Sequence, residues 1–415
     1  MNQMSKAVLF GLAATATIAA QSPAVPTRAE LYRAESAAKA ANPPAATPDR
    51  LEIAIKRFKQ SGLVQQIITG TSGFGVRFGG LPTGGGFALG PSYSLPALWN
   101  ENAVFKVSAA GSIGRYYGID ASLSFPRLAN RRIRADFFAA HNDSPSIGYF
   151  GPGPDSSKNG RTNFRREDTV FSSLLGVRIH PHHFTVGMTS GLHLINVGPG
   201  TSRLSPSADR VYTPRQAPGL QEQTDFFHLG PFLQIDYRDR RDDPHRGAHF
   251  VTRYVYMNDQ LDRYSFRRLE SVLEGYIPFL NEKRVIALRA RTDLSFVDSK
   301  NQVPFYMQPV LGGSDDLRGF RQFRFYDNNA LLLNAEYRWE VAPALDMVAF
   351  ADAGRVFHRP GDIGLSGLEG SGGLGMRFKN RDAVVMRIDA GFSREGVRVW
   401  FKFGPTFTGL FHNLF

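Results

Sequence analysis

Two short stretches late in the chain put an arginine and an aspartate where they can pair. In Leu311-Gly312-Gly313-Ser314-Asp315-Asp316-Leu317-Arg318-Gly319-Phe320 the glycines allow the backbone to turn sharply around the arginine. In Phe350-Ala351-Asp352-Ala353-Gly354 the period of a strand puts Phe350, Asp352 and Gly354 on one face. If that face lines an enclosed lumen, Arg318 and Asp352 form an internal ion pair that pins the loop inside. Taken singly, a Gly-rich turn and an ordinary Asp-Ala-Gly strand end explain either piece equally well. The chemistry on offer is a guanidinium clamp, not bond making.

The other candidates for chemistry are weaker. Gly370-Ser371-Gly372-Gly373-Leu374-Gly375 matches G-x-G-x-x-G, but no βαβ unit surrounds it, so a dinucleotide site is not expected. His180, His182 and His183 flank Pro181 in a turn, where solvated histidines are commoner than a metal site. The chain has no serine-hydrolase G-x-S-x-G, no H-E-x-x-H and no P-loop. With no cysteine among 415 residues there are no disulfides, thiolate metal sites, thiol nucleophiles or N-terminal lipid. The expectation is a protein that is not an enzyme and that holds no cofactor and no metal. The formal net charge is +12, but the arginines are dispersed with no basic block, which argues against nucleic acid and for a charged lumen or an anionic lipid surface.

The elements that position Arg318 and Asp352 follow from patterning. Residues 1–20 read as a signal peptide: Lys6, a short apolar run from Ala7, and Ala19-Ala20 as small residues for cleavage. Residues 21–48 form an Ala/Pro/Thr-rich disordered leader, and 49–60 a short amphipathic helix with Leu51, Ile55 and Phe58 on one stripe. No segment has the roughly 20 apolar residues of a spanning helix, and mean hydropathy is negative. From about residue 72 the period becomes two. Leu288, Ala290, Thr292 and Leu294 alternate with Arg289, Arg291 and Asp293; Val397, Val399, Phe401 and Phe403 alternate with Arg398 and Lys402. About sixteen strands of this kind fit within 70–407, including 83–97, 131–142, 167–180 and 396–407, before a tail at 408–415. Each long connection (143–166, 195–222 and 298–327) follows an odd-numbered strand. Aromatics gather near strand ends, as in Tyr116-Tyr117, Phe226-Phe227 and Trp400-Phe401. Even strand number, long loops at one end and alternation together predict an all-β fold: a transmembrane antiparallel β-barrel.

The residues from about 70 to 407 resemble the barrel of the BamA/TamA-type (bacterial surface antigen) outer-membrane assembly factors. Gly312-Gly313 with Leu317-Arg318-Gly319-Phe320 resembles that family's sixth-loop Arg-Gly-Phe motif; Ala335-Glu336-Tyr337-Arg338 resembles the strand after it, and Phe350-Ala351-Asp352-Ala353-Gly354 the Phe-x-Asp-x-Gly strand. Tyr237-Arg238-Asp239 with Pro244-His245-Arg246-Gly247 resembles a periplasmic turn of these barrels, and the Gly79–Gly90 stretch their first hairpin. The resemblance implies that Arg318 enters the lumen and meets acidic wall residues, with Glu336 and Asp352 as acceptors. It also implies location in the outer membrane of a diderm bacterium. The family carries periplasmic POTRA modules before the barrel; the leader and helix are too short to hold one, so a barrel lacking POTRA modules is expected.

The resemblance further implies a weak seam between the first and last strands. Gly73, Gly75 and Gly79 would soften the first, while Gly404, Pro405 and Phe407 end the last, Pro405 removing a ladder donor. Tight hairpins would use the same glycines. Phe415 and Phe407 are the two candidates for a C-terminal aromatic assembly signal. The functional expectation is assistance to the insertion or passage of outer-membrane or exported proteins through that seam, with outer-membrane lipids, lipopolysaccharide included, and unfolded clients as partners. The alternative is a passive pore or a structural surface antigen with a loop-plugged lumen.

Overall fold

The computed structural model describes residues 73–79, 81, 85–180, 183–280, 282–380, 383–407 and 410. The signal peptide, leader, amphipathic helix, His182 and Phe415 lie outside the described residues. The strands in chain order are β1 (Gly73–Phe78), β2 (Ala88–Ala97), β3 (Ala103–Ser112), β4 (Tyr117–Phe125), β5 (Ile133–Tyr149), β6 (Thr162–His180), β7 (Phe184–Pro199), β8 (Phe226–Asp236) and β9 (Gly247–Asp259). They continue as β10 (Phe266–Phe279), β11 (Arg284–Phe296), β12 (Val310–Leu311), β13 (Phe325–Tyr326), β14 (Asn329–Ala342), β15 (Leu345–Phe357), β16 (Glu369–Asn380), β17 (Ala383–Ser393) and β18 (Gly396–Phe403). All but β12 and β13 form one 16-stranded antiparallel sheet in which each strand pairs with its chain neighbour, β11 pairing with β14. This is a nearly closed up-and-down barrel. The described residues contain no helix long and apolar enough to cross a membrane.

Burial is inverted relative to a water-soluble protein. Arg318, Glu336 and Asp389 are no more than 1% exposed, whereas Phe401 is 67% and Val399 60% exposed. A sheet can place charge inside and apolar side chains outside without penalty only when its outer face meets lipid. Period two sends each residue and its neighbour to opposite faces. The paired aromatics therefore do not both face lipid: Tyr116 and Phe226 are buried, while Tyr117 and Phe227 face outward. Trp400 likewise turns inward and only Phe401 is left outside. The turn end carries its own aromatic contacts: Trp99 stacks on Phe125 at 5.7 Å, and Phe279, Tyr337 and Trp339 follow one another at 5.9 and 5.8 Å.

Three strands are longer than their sequence suggests, β7 among them, which runs on to Pro199. β5 and β6 run on to Tyr149 and back from Thr162, so the expected 143–166 connection shrinks to residues 150–161. Pro145 and Gly148 are residue types common in loops, but the ladder shifts register between Ser144 and Ile147, and that bulge takes up the proline. β2 begins at Ala88, not at 83. The last strand also differs from expectation: β18 stops at Phe403, and Gly404, at φ +89°, turns the chain away.

The long loops fold back over their end of the barrel. Tyr149, Phe164, Phe226, Phe266, Phe305 and Tyr326 form an apolar cluster between wall and loops. At the opposite end the 237–246 turn is built by Asp239, whose Oδ1 accepts the backbone N–H groups of His245 (3.0 Å) and Arg246 (3.1 Å). Gly247 (φ +104°) is needed there because a Cβ would lie 2.1 Å from the Tyr237 carbonyl oxygen.

Candidate functional site

The loop between β11 and β14 enters the lumen through a neck formed by the two-residue strands β12 and β13. Below the neck Gly312 and Gly313 take φ +111° and +113°, and Cβ atoms there would collide with the Arg321 carbonyl oxygen and the Gln322 side chain. The loop tip is a tight turn closed by Phe320 N–H to the Leu317 carbonyl (3.0 Å). Leu317 and Phe320 are buried with Leu311, Phe325, Leu332 and Val356, and the Phe320 ring meets Phe325 edge-on at 5.3 Å. Gly354 admits this cluster, since its missing Cβ would sit 3.1 Å from Leu311 Cδ1.

This anchoring aims Arg318 at the wall. Its Nε and Nη2 donate to Asp352 Oδ2 (3.0 Å) and Oδ1 (2.6 Å), and its Nη1 donates to Glu336 Oε1 (2.5 Å). Its backbone N–H also donates to Asp352 Oδ2 at 3.1 Å, and the guanidinium lies 3.5 Å from the centre of the Phe350 ring. Asp352 and Glu336 sit on adjacent strands, Asn334 pairing with Asp352 and Glu336 with Phe350 in the ladder. The two-pronged contact to Asp352 uses the planar fork of arginine, which lysine lacks. Gly319 must be glycine: a Cβ would lie 2.7 Å from Phe392 O, Ser371 Cβ and Ser393 Cβ.

A second layer of charge, not picked out from the sequence, surrounds this group. Arg377 bridges Glu336 Oε1 (3.1 Å) and Asp389 Oδ1 (2.7 Å); Arg338 Nε donates to Glu336 Oε2 (2.7 Å). Arg387 donates to Asp389 Oδ2 (3.2 Å), to the Ser314 carbonyl (3.0 Å) and to Asp315. Asn334 Nδ2 donates to Asp352 Oδ1 at 2.8 Å. Trp400 Nε1 on β18 donates to the Arg318 carbonyl (2.7 Å), and Ser393 Oγ to the Gly319 carbonyl (2.7 Å). The loop is thereby tied directly to β14, β15, β17 and β18, and through Glu336 and Asp352 to β16. Farther up, Arg324, 1% exposed, joins Glu395 (2.7 Å) and Ser156 Oγ (2.9 Å), fastening the neck to two other loops. The alternation of charge on β16 and β17 was a visible signal for Arg387 and Asp389. Nothing local marks Trp400.

The opposite edge is loosely held. The ladder begins at β1 and ends at β18, with no β1–β18 pairing among the described residues. Phe403 meets Phe78 at 5.5 Å and Phe87 at 6.0 Å between ring centres, and a Cβ on Gly79 would stand 3.6 Å from the Phe403 ring. Gly73 and Gly75 lie in β1, and Gly79 just beyond it. Pro405 and Phe407 do not belong to the edge. With β18 ended at Phe403, Pro405 removes no donor from its ladder. Phe407 is 5% exposed, packed in the lumen against Tyr276, Val285 and Ala287 with the guanidinium groups of Arg289 and Arg338 at 4.8 and 5.3 Å from its ring. Leu410 packs on a neighbouring cluster of Leu174, Phe232, Val251 and Val272.

A family model, the Omp85 superfamily domain, matches residues 102–389. Among solved structures, BamA from Haemophilus ducreyi lacking POTRA domains 1-3 aligns with a TM-score of 0.58 at 14% identity over 80% of this chain and 70% of that one. CdiB from Acinetobacter baumannii aligns with a TM-score of 0.50 at 13% identity over 76% of this chain and 56% of that one. CdiB from Escherichia coli gives 0.51 and 14%, over 79% and 61%. At these identities the likeness shows the fold alone. No curated protein matches the sequence.

Proposed function

The chain belongs to the Omp85 superfamily of outer-membrane barrels, and from that premise we propose that it aids the insertion or passage of outer-membrane or exported proteins by opening between β1 and β18. The observation that carries this reading is that, among the described residues, β1 and β18 share no ladder and meet through aromatic contacts at Phe403, whereas neighbouring strands elsewhere in the sheet are joined by ladders.

The two sides of that edge differ in stiffness. β18 and the strands behind it are tied to the Arg318 loop through Trp400, Ser393 and the Arg377–Asp389–Arg387 group. β1 is six residues long and carries Gly73 and Gly75. Opening in this reading proceeds by displacement of the β1–β2 hairpin, while β18 stays fixed and offers its edge to an incoming strand. In this reading Arg318, Gly319, Phe320, Glu336, Asp352, Phe350 and Gly354 form a lock that keeps the template rigid, and no bond is made or broken. Partners are the surrounding outer-membrane lipids and an unfolded or extended client.

The chain has no cysteine, so a pair introduced as Phe78→Cys and Phe403→Cys can be joined without side reactions. Reconstituted in liposomes, the untied protein should accelerate insertion of an unfolded client barrel, the tied form should not, and reduction should restore the rate. Equal rates in tied and untied protein would remove the edge from the mechanism. Steady ion conductance without any acceleration would favour a passive pore.

A further inference from the structure

A recess of about 250 Å³ opens in the inner wall at the long-loop end, away from the Arg318 lock. Arg166 on β6, His193 on β7, His228 on β8, Arg253 on β9, and Arg268 and Glu270 on β10 line it, and the Phe305–Met307 turn forms part of its boundary. Its charge balance is unlike that of the lock. Around Arg318, four guanidinium groups (Arg318, Arg338, Arg377 and Arg387) face four carboxylates (Asp315, Glu336, Asp352 and Asp389). The recess is lined by three guanidinium groups and one carboxylate. Glu270 pairs with Arg253, and Asp168, outside the lining, stands 3.4 Å from Arg166. Arg268 has no carboxylate within 4 Å among the described residues and is held instead by Met307 O (2.6 Å), Ser295 Oγ (3.3 Å) and the face of Phe266 (4.7 Å).

These fixed arginines keep donors in reserve. Arg166 makes one hydrogen bond, Nη1 to Tyr306 O (2.9 Å); its buried Nε faces Asp168 Oδ1 at 3.4 Å without a hydrogen bond, and its Nη2 has no acceptor among the described residues. Arg253 uses only Nε, and Arg268 leaves Nη1 unused. His193 Nε2 and His228 Nδ1 lie 3.0 Å apart, so one ring donates to the other and the pair closes one side of the recess. Of these atoms only Arg166 Nε is buried without a hydrogen bond, which is costly for a cationic donor; the other unused guanidinium donors are open to a ligand in the recess. Donors converging from several strands suit an oxyanion with three or more acceptor oxygens better than a planar carboxylate, which offers two.

We infer that this lumenal recess, formed by Arg166, Arg253, Arg268 and the His193–His228 pair, binds a phosphate group, either free phosphate or the phosphate monoester of a lipid headgroup. The anion would supply the charge that Arg268 lacks and bridge loop and wall where the Phe305–Met307 turn rests.

The test uses the full chain folded in zwitterionic detergent. Inorganic phosphate is titrated calorimetrically at constant ionic strength against chloride, and in a second arm the probe is a short-chain phosphatidic acid, with the corresponding phosphatidylcholine as control. Saturable binding of phosphate or of phosphatidic acid is expected, weakened about tenfold by Arg268→Gln, the scale of one hydrogen bond to a charged group. Binding of both probes identifies the bare phosphate group as the ligand, and binding of phosphatidic acid alone identifies a headgroup. No saturable binding of either probe overturns the proposal, as does unchanged binding in an Arg268→Gln protein that keeps its heat-modifiable mobility. If Arg268→Gln fails to fold, Arg166→Lys keeps the charge but removes the fork, and should weaken binding in the same direction; unchanged binding there overturns the proposal equally.

Discussion

Replacing Arg318 with alanine tests the lock most directly. The substitution removes two bonds to Asp352, one to Glu336 and the guanidinium that covers the Phe350 ring. The two carboxylates are left in different states. Glu336 keeps Arg338 and Arg377. Asp352 keeps Asn334 Nδ2 (2.8 Å), Ser371 Oγ (3.3 Å) and the backbone N–H of residue 318, but no cation within 4 Å among the described residues. Breaking a buried ion pair from one side costs about 3–5 kcal/mol. The dipoles around Asp352 and the cations around Glu336 put this case near ~3 kcal/mol, more than about a hundredfold in the folded-to-unfolded ratio. On unboiled gels Arg318→Ala should lose its compact mobility at lower temperature than the parent. Trypsin should then cut at Arg321 or Arg324 in the folded protein. Arg318→Ala combined with Asp352→Asn removes the lone charge as well, so its loss should fall short of the sum of the single losses by roughly 1–3 kcal/mol. Parental heat resistance and protease resistance in Arg318→Ala, or strict additivity in the double variant, would refute the reasoning.

Two further outcomes follow from the same lumen. Phe407→Ala empties a nearly buried aromatic site and removes two guanidinium–ring contacts, for a loss of about 3 kcal/mol; denaturant titration in detergent should show it, and an unchanged midpoint would mean that the tail does not hold this position. Asp243 and His245 in the 237–246 turn give a pH dependence of fixed sign. Burial opposes the Asp243 charge, but the His245 hydrogen bond (3.3 Å) and the Lys379 ammonium (3.4 Å) together bring its carboxyl below the ordinary range. The bond to Asp243 outweighs the burial of His245 and lifts its imidazole above the usual value. The raised histidine stabilises fully below about pH 6.5 and loses its contribution as pH rises through its folded value; the lowered aspartate stabilises above about pH 3.9 and loses it as pH falls through its own. His245→Asn should therefore lower the unfolding midpoint at about pH 5.5 and leave it nearly unchanged at about pH 9. An equal loss at both would point to packing instead of charge.

Sixteen strands were legible because each writes its two faces into alternate residues, as Arg289, Arg291 and Asp293 do against Leu288, Ala290 and Leu294. Ends were harder to read. Pro145 and Gly148 carry the ordinary marks of a loop, and only the pairing partner Phe164 makes Ile147 part of a strand. Val397, Val399, Phe401 and Phe403 alternate cleanly, so the strand was carried on to Phe407, although Gly404 already breaks it. At the site, Arg318, Glu336 and Asp352 could be named from short motifs. Arg377, Asp389, Arg387 and Trp400 reach the loop only because three successive ladders set their height on the wall, and register across strands is not a local property of sequence.

The lumen is entered from both ends by the chain itself. From the long-loop side come the Arg318 turn and the aromatic cluster around Phe305 and Tyr326; from the turn side come Phe407 and Leu410. A passive pore needs a continuous water path along the axis, and these groups take up lumen space that water would otherwise fill. Among the described residues β1 and β18 share no ladder, and the charged groups around Arg318 are tied into the β18 side of that edge. A filled lumen and an edge without a described ladder are the two features on which the proposed lateral route rests. On the proposed function, the lock would hold β18 still while β1 and β2 move.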